Sequence, residues 1–136
     1  MASSAKQDEA KAIMAEHRWE DALAILLDDA GDNPDDGWTC LYIGSCYYEL
    51  REAERAREWF ERAARLMPDD PTPVGCQGDV AHFIGDSARA GELYQKALAM
   101  APDDELARKN WKRWLVIENT MGERGGVSNR GTDGSV

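Results

Sequence analysis

The chain has 136 residues, of which 43% are hydrophobic and 8% aromatic, so its apolar content suffices for one folded domain and excludes disorder throughout. Asp and Glu number 26 against 16 Lys and Arg. The resulting net charge of −10 argues against a general nucleic-acid binder, because binding to a phosphate backbone requires a basic surface.

Hydrophobic residues recur three and four positions apart along most of the chain, the spacing of an amphipathic helix. In the middle of the chain Ile43, Tyr47 and Leu50 follow this rule, as do the residues of a second stripe that ends at Leu66. The spacing predicts helices over residues 5–16, 19–30, 37–49, 52–66, 71–84, 87–100 and 104–120.

The sequence also repeats itself with a period of about 34 residues. The second and third copies share small, aromatic and turn residues at equal spacing: Gly44 and Gly78, Ala56 and Ala90, Phe60 and Tyr94, Ala63 and Ala97, and Pro-Asp-Asp at 68–70 and 102–104. A weaker first copy keeps Ala22 and the Pro-Asp-Asp of residues 34–36. The period divides the chain into copies at 3–36, 37–70 and 71–104.

Each Pro-Asp-Asp is expected to end one helix and to offer an aspartate as N-cap to the next, which contributes about 1 kcal/mol. A glycine within a helix costs up to about 1 kcal/mol relative to alanine. Gly44 and Gly78 in the same register therefore predict close approach between paired helices, opposite Ala56 and Ala90 respectively.

This pattern resembles the tetratricopeptide repeat, a helix–turn–helix unit of about 34 residues. The second copy carries the family's marks, which are Gly44, Tyr47, Ala56, Phe60, Ala63 and Pro68. The third carries Gly78, Gly85, Ala90, Tyr94, Ala97 and Pro102. The first keeps Trp19, Ala22, Leu26 and Pro34, but Lys6, Glu9 and Ala10 replace the usual first-helix set, and Asp29 replaces the usual alanine.

Beyond residue 104 the helical spacing continues through Leu106, Trp111, Trp114, Leu115 and Ile117. Repeat arrays need such a terminal helix, because the last repeat otherwise exposes its apolar face. We therefore expect a capping helix at 105–121 and, because residues 122–136 lack periodicity, a disordered tail.

The resemblance implies an all-α fold, a right-handed α-solenoid of three repeats and a capping helix. It also implies that the first helix of each repeat lines a concave groove. Carried onto this sequence, the residues that would bind a partner there are Trp38, Leu41, Tyr42, Ser45, Tyr48, Asp79, His82, Phe83, Lys109 and Arg113. The aromatic members are not needed for repeat packing, and Lys109 and Arg113, one helical turn apart, could pair with a carboxylate.

Motifs of catalysis and metal binding are scarce in this sequence. It contains no His-Glu-x-x-His, Cys-x-x-Cys, phosphate-binding glycine loop or Gly-x-Ser-x-Gly. Asp79, His82 and Asp86 share a helical face and could form a weak metal site or acid–base pair, but a hydrogen-bonded surface histidine is the simpler interpretation. We expect no enzyme, no cofactor and no metal.

Location and membrane contact are predicted from the absence of targeting features. No apolar run approaches the roughly 20 residues of a membrane-spanning helix, and the first residues lack the apolar core of a secretory signal. Three cysteines, an odd number, favour free thiols in a reducing compartment. The expectation is a cytoplasmic protein without membrane insertion.

The function predicted from the sequence is that of a non-enzymatic adaptor or scaffold that binds a partner peptide or helix in the concave groove. The carboxylate clamp with which relatives bind heat-shock chaperone tails is not expected. Its places hold Gln7, Lys11, Tyr42, Thr72 and Cys76, which do not reproduce the clamp's Lys, Asn and Arg set.

Two alternatives remain open at this point. Residues 1–36 carry ten acidic and three basic residues, whereas residues 105–136 carry four acidic and six basic ones, so the two ends could meet in a homo-oligomer. The size, acidity and three repeats also resemble a type III secretion chaperone.

Overall fold

The computed structural model describes the backbone of residues 3–133 and the side chains of residues 3–120. Within that range the chain is all-α, without strands, which confirms the predicted fold class. The helices are α1 (Ala5–Ala15), α2 (Trp19–Asp32), α3 (Gly37–Glu49), α4 (Ala53–Leu66), α5 (Thr72–Phe83), α6 (Ser87–Met100) and α7 (Glu105–Asp133). The first six agree with the sequence prediction to within two residues at each end.

Helix α7 is longer than predicted. The sequence indicated a disordered tail from Gly122, whereas the backbone is helical as far as Asp133, and residues 134–136 of that tail lie outside the described residues. Beyond Asp104 the chain has no proline to stop a helix, and glycine weakens a helix by only about 1 kcal/mol per residue without forbidding it.

The helices form a curved array in which the odd-numbered helices lie on the inner side. Every helix packs on the next one in sequence, and α1 also contacts α3, α3 contacts α5, and α5 contacts α7. The described parts of α2, α4 and α6 do not contact one another. Because only the odd helices approach each other, they line the concave face.

Aspartates and left-handed turns fix the helix ends. Asp36 accepts hydrogen bonds from the Trp38 and Thr39 N–H groups, and Asp104 accepts one from Ala107 N–H, so two of the three Pro-Asp-Asp segments cap helices as predicted. At the segment 68–70 the prediction was wrong, because Pro71 occupies the N-cap of α5 and Asp70 accepts from Thr72 N–H without capping the helix. The turn within each helix pair contains a residue with positive φ, and these residues are separated by one repeat length: His17 at 61°, Arg51 at 66° and Gly85 at 90°.

Glycine and an aromatic ring form the contact between paired helices. A Cβ placed on Gly44 would lie 2.6 Å from Cδ1 of Phe60, and one on Gly78 would lie 2.7 Å from Cε1 of Tyr94. The glycines therefore face the aromatic rings, where the sequence had suggested the alanines Ala56 and Ala90. In the first repeat the equivalent contact pairs a larger residue with a smaller one: Ala10 stands at the position of Gly44, and Leu26 stands at the position of Phe60. Both are fully buried.

The first repeat is also held by a buried polar network around Asp29, the residue that replaces the usual alanine. One carboxylate oxygen accepts from Ser4 Oγ at 3.0 Å and Asn33 Nδ2 at 3.1 Å, and the other accepts from Thr39 Oγ1 at 2.8 Å. Gln7 Nε2 donates to Thr39 Oγ1 at 3.0 Å. These bonds join α1, α2 and α3 and compensate for the sparse apolar face of α1.

At the other end, α7 docks on α6 through tryptophan. Trp114 lies against Gly91, where an added Cβ would be 2.4 Å from Cζ2, and its Nε1 donates to the Ser87 carbonyl at 3.1 Å. Trp111 stacks on Trp114 with ring centroids 5.2 Å apart. This contact fixes the position of α7 beside α5 and thus completes the concave face.

We predict that the volumes of Gly44 and Phe60 are energetically coupled. Gly44→Ala should lower the free energy of unfolding by about 1–2 kcal/mol, because overpacking outweighs the gain in helix propensity. Phe60→Leu should also be destabilising, but the double variant, which copies Ala10 and Leu26, should lose at least about 1 kcal/mol less than the sum of the two. Urea unfolding of the four proteins measures the coupling, and strictly additive losses would contradict the prediction.

We predict opposite effects on stability for two glycine-to-alanine substitutions at positions where the added methyl group contacts no other described part of the chain. Neither a Cβ on Gly31 nor one on Gly85 has a non-local atom within 4 Å. Gly85→Ala should cost about 1 kcal/mol because its φ is positive, whereas helical Gly31→Ala should gain up to about 1 kcal/mol. Thermal and urea unfolding provide the comparison, and losses of equal size in both variants would show that the backbone explanation is wrong.

Candidate functional site

The concave face is built from equivalent positions of α3, α5 and α7, each one repeat length from the next. Trp38, Thr72 and Leu106 form one such row near the beginning of these helices. Tyr48, His82 and Val116 form another, ten residues further along, which lies near the ends of α3 and α5 and in the first half of α7. The two rows are separated along the helix axes by a distance of about 15 Å.

Trp38 and Tyr42 form an aromatic patch at the beginning of α3. Their ring centroids are 6.0 Å apart, and 40% of Trp38 is exposed. Lys11 Nζ of α1 lies 5.7 Å from the centre of the Tyr42 ring, a cation–π contact. These three side chains line an open cleft between α1 and α3, so the patch is accessible to a ligand.

Tyr48 and Phe83 form a second aromatic patch where α3 and α5 end. The rings meet edge to face with centroids 5.9 Å apart, and 41% of Phe83 is exposed. Arg51 lies over the Phe83 ring, with its guanidinium carbon 5.3 Å from the ring centre. Burial, and secondarily the nearby carboxylate of Asp79, raise the pKa of the Tyr48 hydroxyl, which keeps the ring neutral.

Between the two patches lies a polar centre formed by Asp79 and Arg113. Asp79 Oδ1 accepts from the Tyr94 hydroxyl at 2.5 Å and from Arg113 Nη2 at 3.4 Å. Burial raises the pKa of the Asp79 carboxyl above its ordinary value, and these two donors oppose that rise. Tyr94 thus has two roles, since its ring packs on Gly78 while its hydroxyl holds a groove carboxylate.

A small cavity of about 190 Å³ opens beside this polar centre, between α5 and α7. Asn110 lines it and is 8% exposed, and because no buried polar side-chain atom in the described part of the chain lacks a hydrogen-bond partner, its unpaired amide faces the open space of the cavity. Gly75 provides space at the cavity wall, 3.5 Å from Asn110 Nδ2 at the position of an added Cβ. An amide offers a donor and an acceptor together, so this cavity is suited to a ligand amide.

Several residues predicted for the groove occupy less accessible positions. Leu41 is only 4% exposed and belongs to the core, so its selection as a partner-contacting residue was wrong: the side chain packs between helices. Ser45 is half-buried and donates its hydroxyl to the Leu41 carbonyl at 3.0 Å. His82 and Lys109 are exposed, and Lys109 forms no ion pair with a described side chain. Arg113 forms an ion pair with Asp79 at 3.4 Å.

Two further groove residues were not selected from the sequence. Leu106 is 53% exposed and Val116 is 64% exposed, and both lie on α7. The period itself could have identified them, because Leu106 follows Trp38 and Thr72 by whole repeats, and Val116 follows Tyr48 and His82.

Asp79, His82 and Asp86, which the sequence places on one helical face, have different surroundings in the structure. Asp86 caps α6 by accepting from Arg89 N–H, which separates its role from those of Asp79 and His82. Among residues 3–120, no three His, Cys, Asp or Glu side chains are grouped closely enough to hold a metal ion. Burial raises the pKa of the Cys76 thiol to about 12, so this groove thiol is protonated near neutral pH.

No helix between residues 3 and 133 has both the length and the apolar character needed to cross a bilayer.

Comparison with known proteins identifies the repeats. Models of the tetratricopeptide repeat match residues 38–70 and 77–104. Protein O-mannosyl-transferase TMTC2 of Homo sapiens is 33% identical over 73 residues, which is 51% of this chain and 9% of that relative. The chain therefore spans less than a tenth of the length of this relative.

Solved structures show the same fold at low identity. The first repeat domain of Spaghetti (RPAP3), solved with the HSP90 peptide SRMEEVD, has a TM-score of 0.74 and 12% identity and covers 82% of this chain and 89% of its own. The Yersinia enterocolitica type III secretion chaperone SycD, solved with a peptide of the translocator YopD, has a TM-score of 0.76 and 13% identity, with coverages of 88% and 92%. The chain therefore carries two matched tetratricopeptide repeats, at residues 38–70 and 77–104, and shares the fold of these solved structures.

Proposed function

We propose that this protein is a non-enzymatic adaptor that binds an extended peptide segment of a partner protein in the concave groove. The observation that carries the proposal is the pair of exposed aromatic patches, Trp38 with Tyr42 and Tyr48 with Phe83, on that face. Tyrosine and tryptophan bury a large area with few rotatable bonds, so they are frequent anchors of protein recognition.

Packing of the repeats does not require these rings at the surface. The contacts between paired helices use Gly44 with Phe60 and Gly78 with Tyr94, and the interior of the second repeat is filled by residues such as Ile43. Although Tyr42 and Tyr48 also pack against the core, Trp38 and Phe83 keep 40% and 41% of their surface exposed on the concave face. A partner that covers Trp38 and Phe83 would remove this surface from water at about 25 cal/mol per Å².

The polar centre indicates the chemistry of the middle part of the bound peptide, between the two side chains that would contact the aromatic patches. Asn110 has an amide with unused donor and acceptor capacity, which matches a main-chain amide of an extended peptide. Asp79 already neutralises Arg113, so the groove centre is unfavourable for a free carboxylate. The partner sequence is thus expected to be an internal segment with apolar side chains toward both ends.

The fold neighbours support peptide binding as the general mode of action. The Spaghetti (RPAP3) domain was solved with an HSP90 peptide and SycD with a YopD peptide. At 12% and 13% identity neither identifies the partner of this chain, and the positions of Gln7, Tyr42 and Cys76 argue against transfer of a carboxylate clamp. With three free cysteines, we place the proposed adaptor in a reducing compartment such as the cytoplasm.

We predict that partner capture depends on the groove. In pull-downs from source-cell lysate, the Tyr48→Ala, Arg113→Glu variant should lose a partner that the wild type retains. A matched control, Trp59→Ala with Arg89→Glu, makes the same kinds of change on α4 and α6 and should retain it. Circular dichroism verifies that both variants are folded, and capture of the same partners by the groove variant and the wild type would refute the proposal.

We also predict a specific role for Asn110 once the captured segment is available as a synthetic peptide. Asn110→Ala should weaken its binding about tenfold, because a hydrogen-bonded amide contributes roughly 1–1.5 kcal/mol. Asn119→Ala removes an exposed amide of the same helix and should leave the affinity unchanged. Isothermal titration calorimetry measures both, and unchanged affinity in the Asn110 variant would show that the peptide does not use this cavity.

A further inference from the structure

The two ends of the repeat array carry charges of opposite sign at positions that are apolar or small in the inner repeats. Residues of α1 and α7 can be matched to residues of α3 that lie one or two repeat lengths away. In α3, which has a helix on either side, the contacts show which residues a neighbouring helix covers. The comparison defines one face on α1 and one on α7.

The first face, which we call the α1 end face, consists of Ala5, Glu9, Ala12 and Glu16. In α3 the corresponding side is covered by α2, as the hydrogen bond of Thr39 to Asp29 shows, and Thr39, Ile43 and Cys46 there are fully buried. The equivalent residues of α1 are exposed. Glu9 forms no ion pair with a described side chain, and Glu16 pairs only with the exposed Arg18.

The second face, which we call the α7 end face, consists of Arg108, Lys112 and Leu115. The equivalent residues of α3 are Cys40, Gly44 and Tyr47, and they face α4, as the close approach of Gly44 to Phe60 shows. On α7 all three are exposed, and α7 packs only on α5 and α6 among the described helices. Neither Arg108 nor Lys112 forms an ion pair with a described side chain.

We propose that these faces bind each other between two copies of the chain, with α1 of one copy lying along α7 of the next. The two acidic groups of the α1 end face then meet the two basic groups of the α7 end face, and the small Ala5 and Ala12 leave room for Leu115. Opposite charge on the two ends makes this pairing favourable, whereas α1 against α1 or α7 against α7 brings like charges together.

Such a contact joins different surfaces, so every copy keeps one free end of each kind. Head-to-tail contacts of this type extend into open chains unless the geometry closes a ring. The concave groove is formed by residues of α3, α5 and α7 other than those of the two end faces, so association would present several grooves in a row. The contact is made by exposed charges and is therefore sensitive to salt.

The test reverses the charge of each face separately in the full chain. One variant is Glu9→Lys with Glu16→Lys, and the other is Arg108→Glu with Lys112→Glu. A control, Arg65→Glu with Lys96→Glu, makes the same change in net charge as the second variant on α4 and α6. Sedimentation velocity over a concentration series, at low salt and at about 1 M salt, measures the average mass.

At low salt the wild type and the control should exceed the monomer mass of 15.1 kDa as concentration rises, and they should return to it at high salt. Each reversed variant alone should associate at least about tenfold more weakly. An equimolar mixture of the two reversed variants should recover association, because opposite charges face each other again. A monomeric wild type under all conditions, or a mixture that stays monomeric, would overturn the proposal.

Discussion

The close contact between a glycine and an aromatic ring is the constraint on which the rest of this structure depends. It occurs between Gly44 and Phe60 within one helix pair and between Gly78 and Tyr94 within the next, and Gly91 with Trp114 repeats it where the last helix docks. Because a glycine has no side chain, the ring lies against the backbone and the two helices approach closely. The spacing of the helix pairs, and hence the approach of the odd helices that forms the groove, follows from this contact.

The same contact links the core to the candidate binding site. Phe60 and Tyr94 are equivalent residues, but only Tyr94 has a hydroxyl, and it reaches Asp79 in the groove. The carboxylate is therefore positioned by a residue whose ring is fixed by packing. Asp79 in turn contacts Arg113 of α7, so the polar centre between the aromatic patches is held from three helices. A groove whose polar centre is already in place would lose little conformational entropy on binding a peptide.

Much of the fold could be predicted from the sequence, and the reasons are local. Helix ends depend on nearby residues such as Asp36 and on the period, so six helices were placed to within two residues. The polar network of Asp29 could not be predicted, because its partners come from three helices and match no repeat pattern. In the site, the resemblance to the repeat family implied that Tyr48 and Phe83 lie on one face, but the burial of Leu41 depends on how neighbouring helices close over it. The ion pair of Arg113 with Asp79 likewise depends on the docking of α7.

The central claim is that the concave face, and not the outer surface, binds the partner. The most direct measurement is an NMR titration of the isotope-labelled full chain with the partner peptide, following the indole N–H signals of the tryptophans. Trp38 lies in the groove on α3, whereas Trp59 lies on the outer helix α4. The account predicts that the Trp38 signal shifts, together with backbone amides of α3, α5 and α7, while Trp59 is unaffected. A shift of Trp59 and the amides of α4 and α6, with Trp38 unchanged, would contradict it.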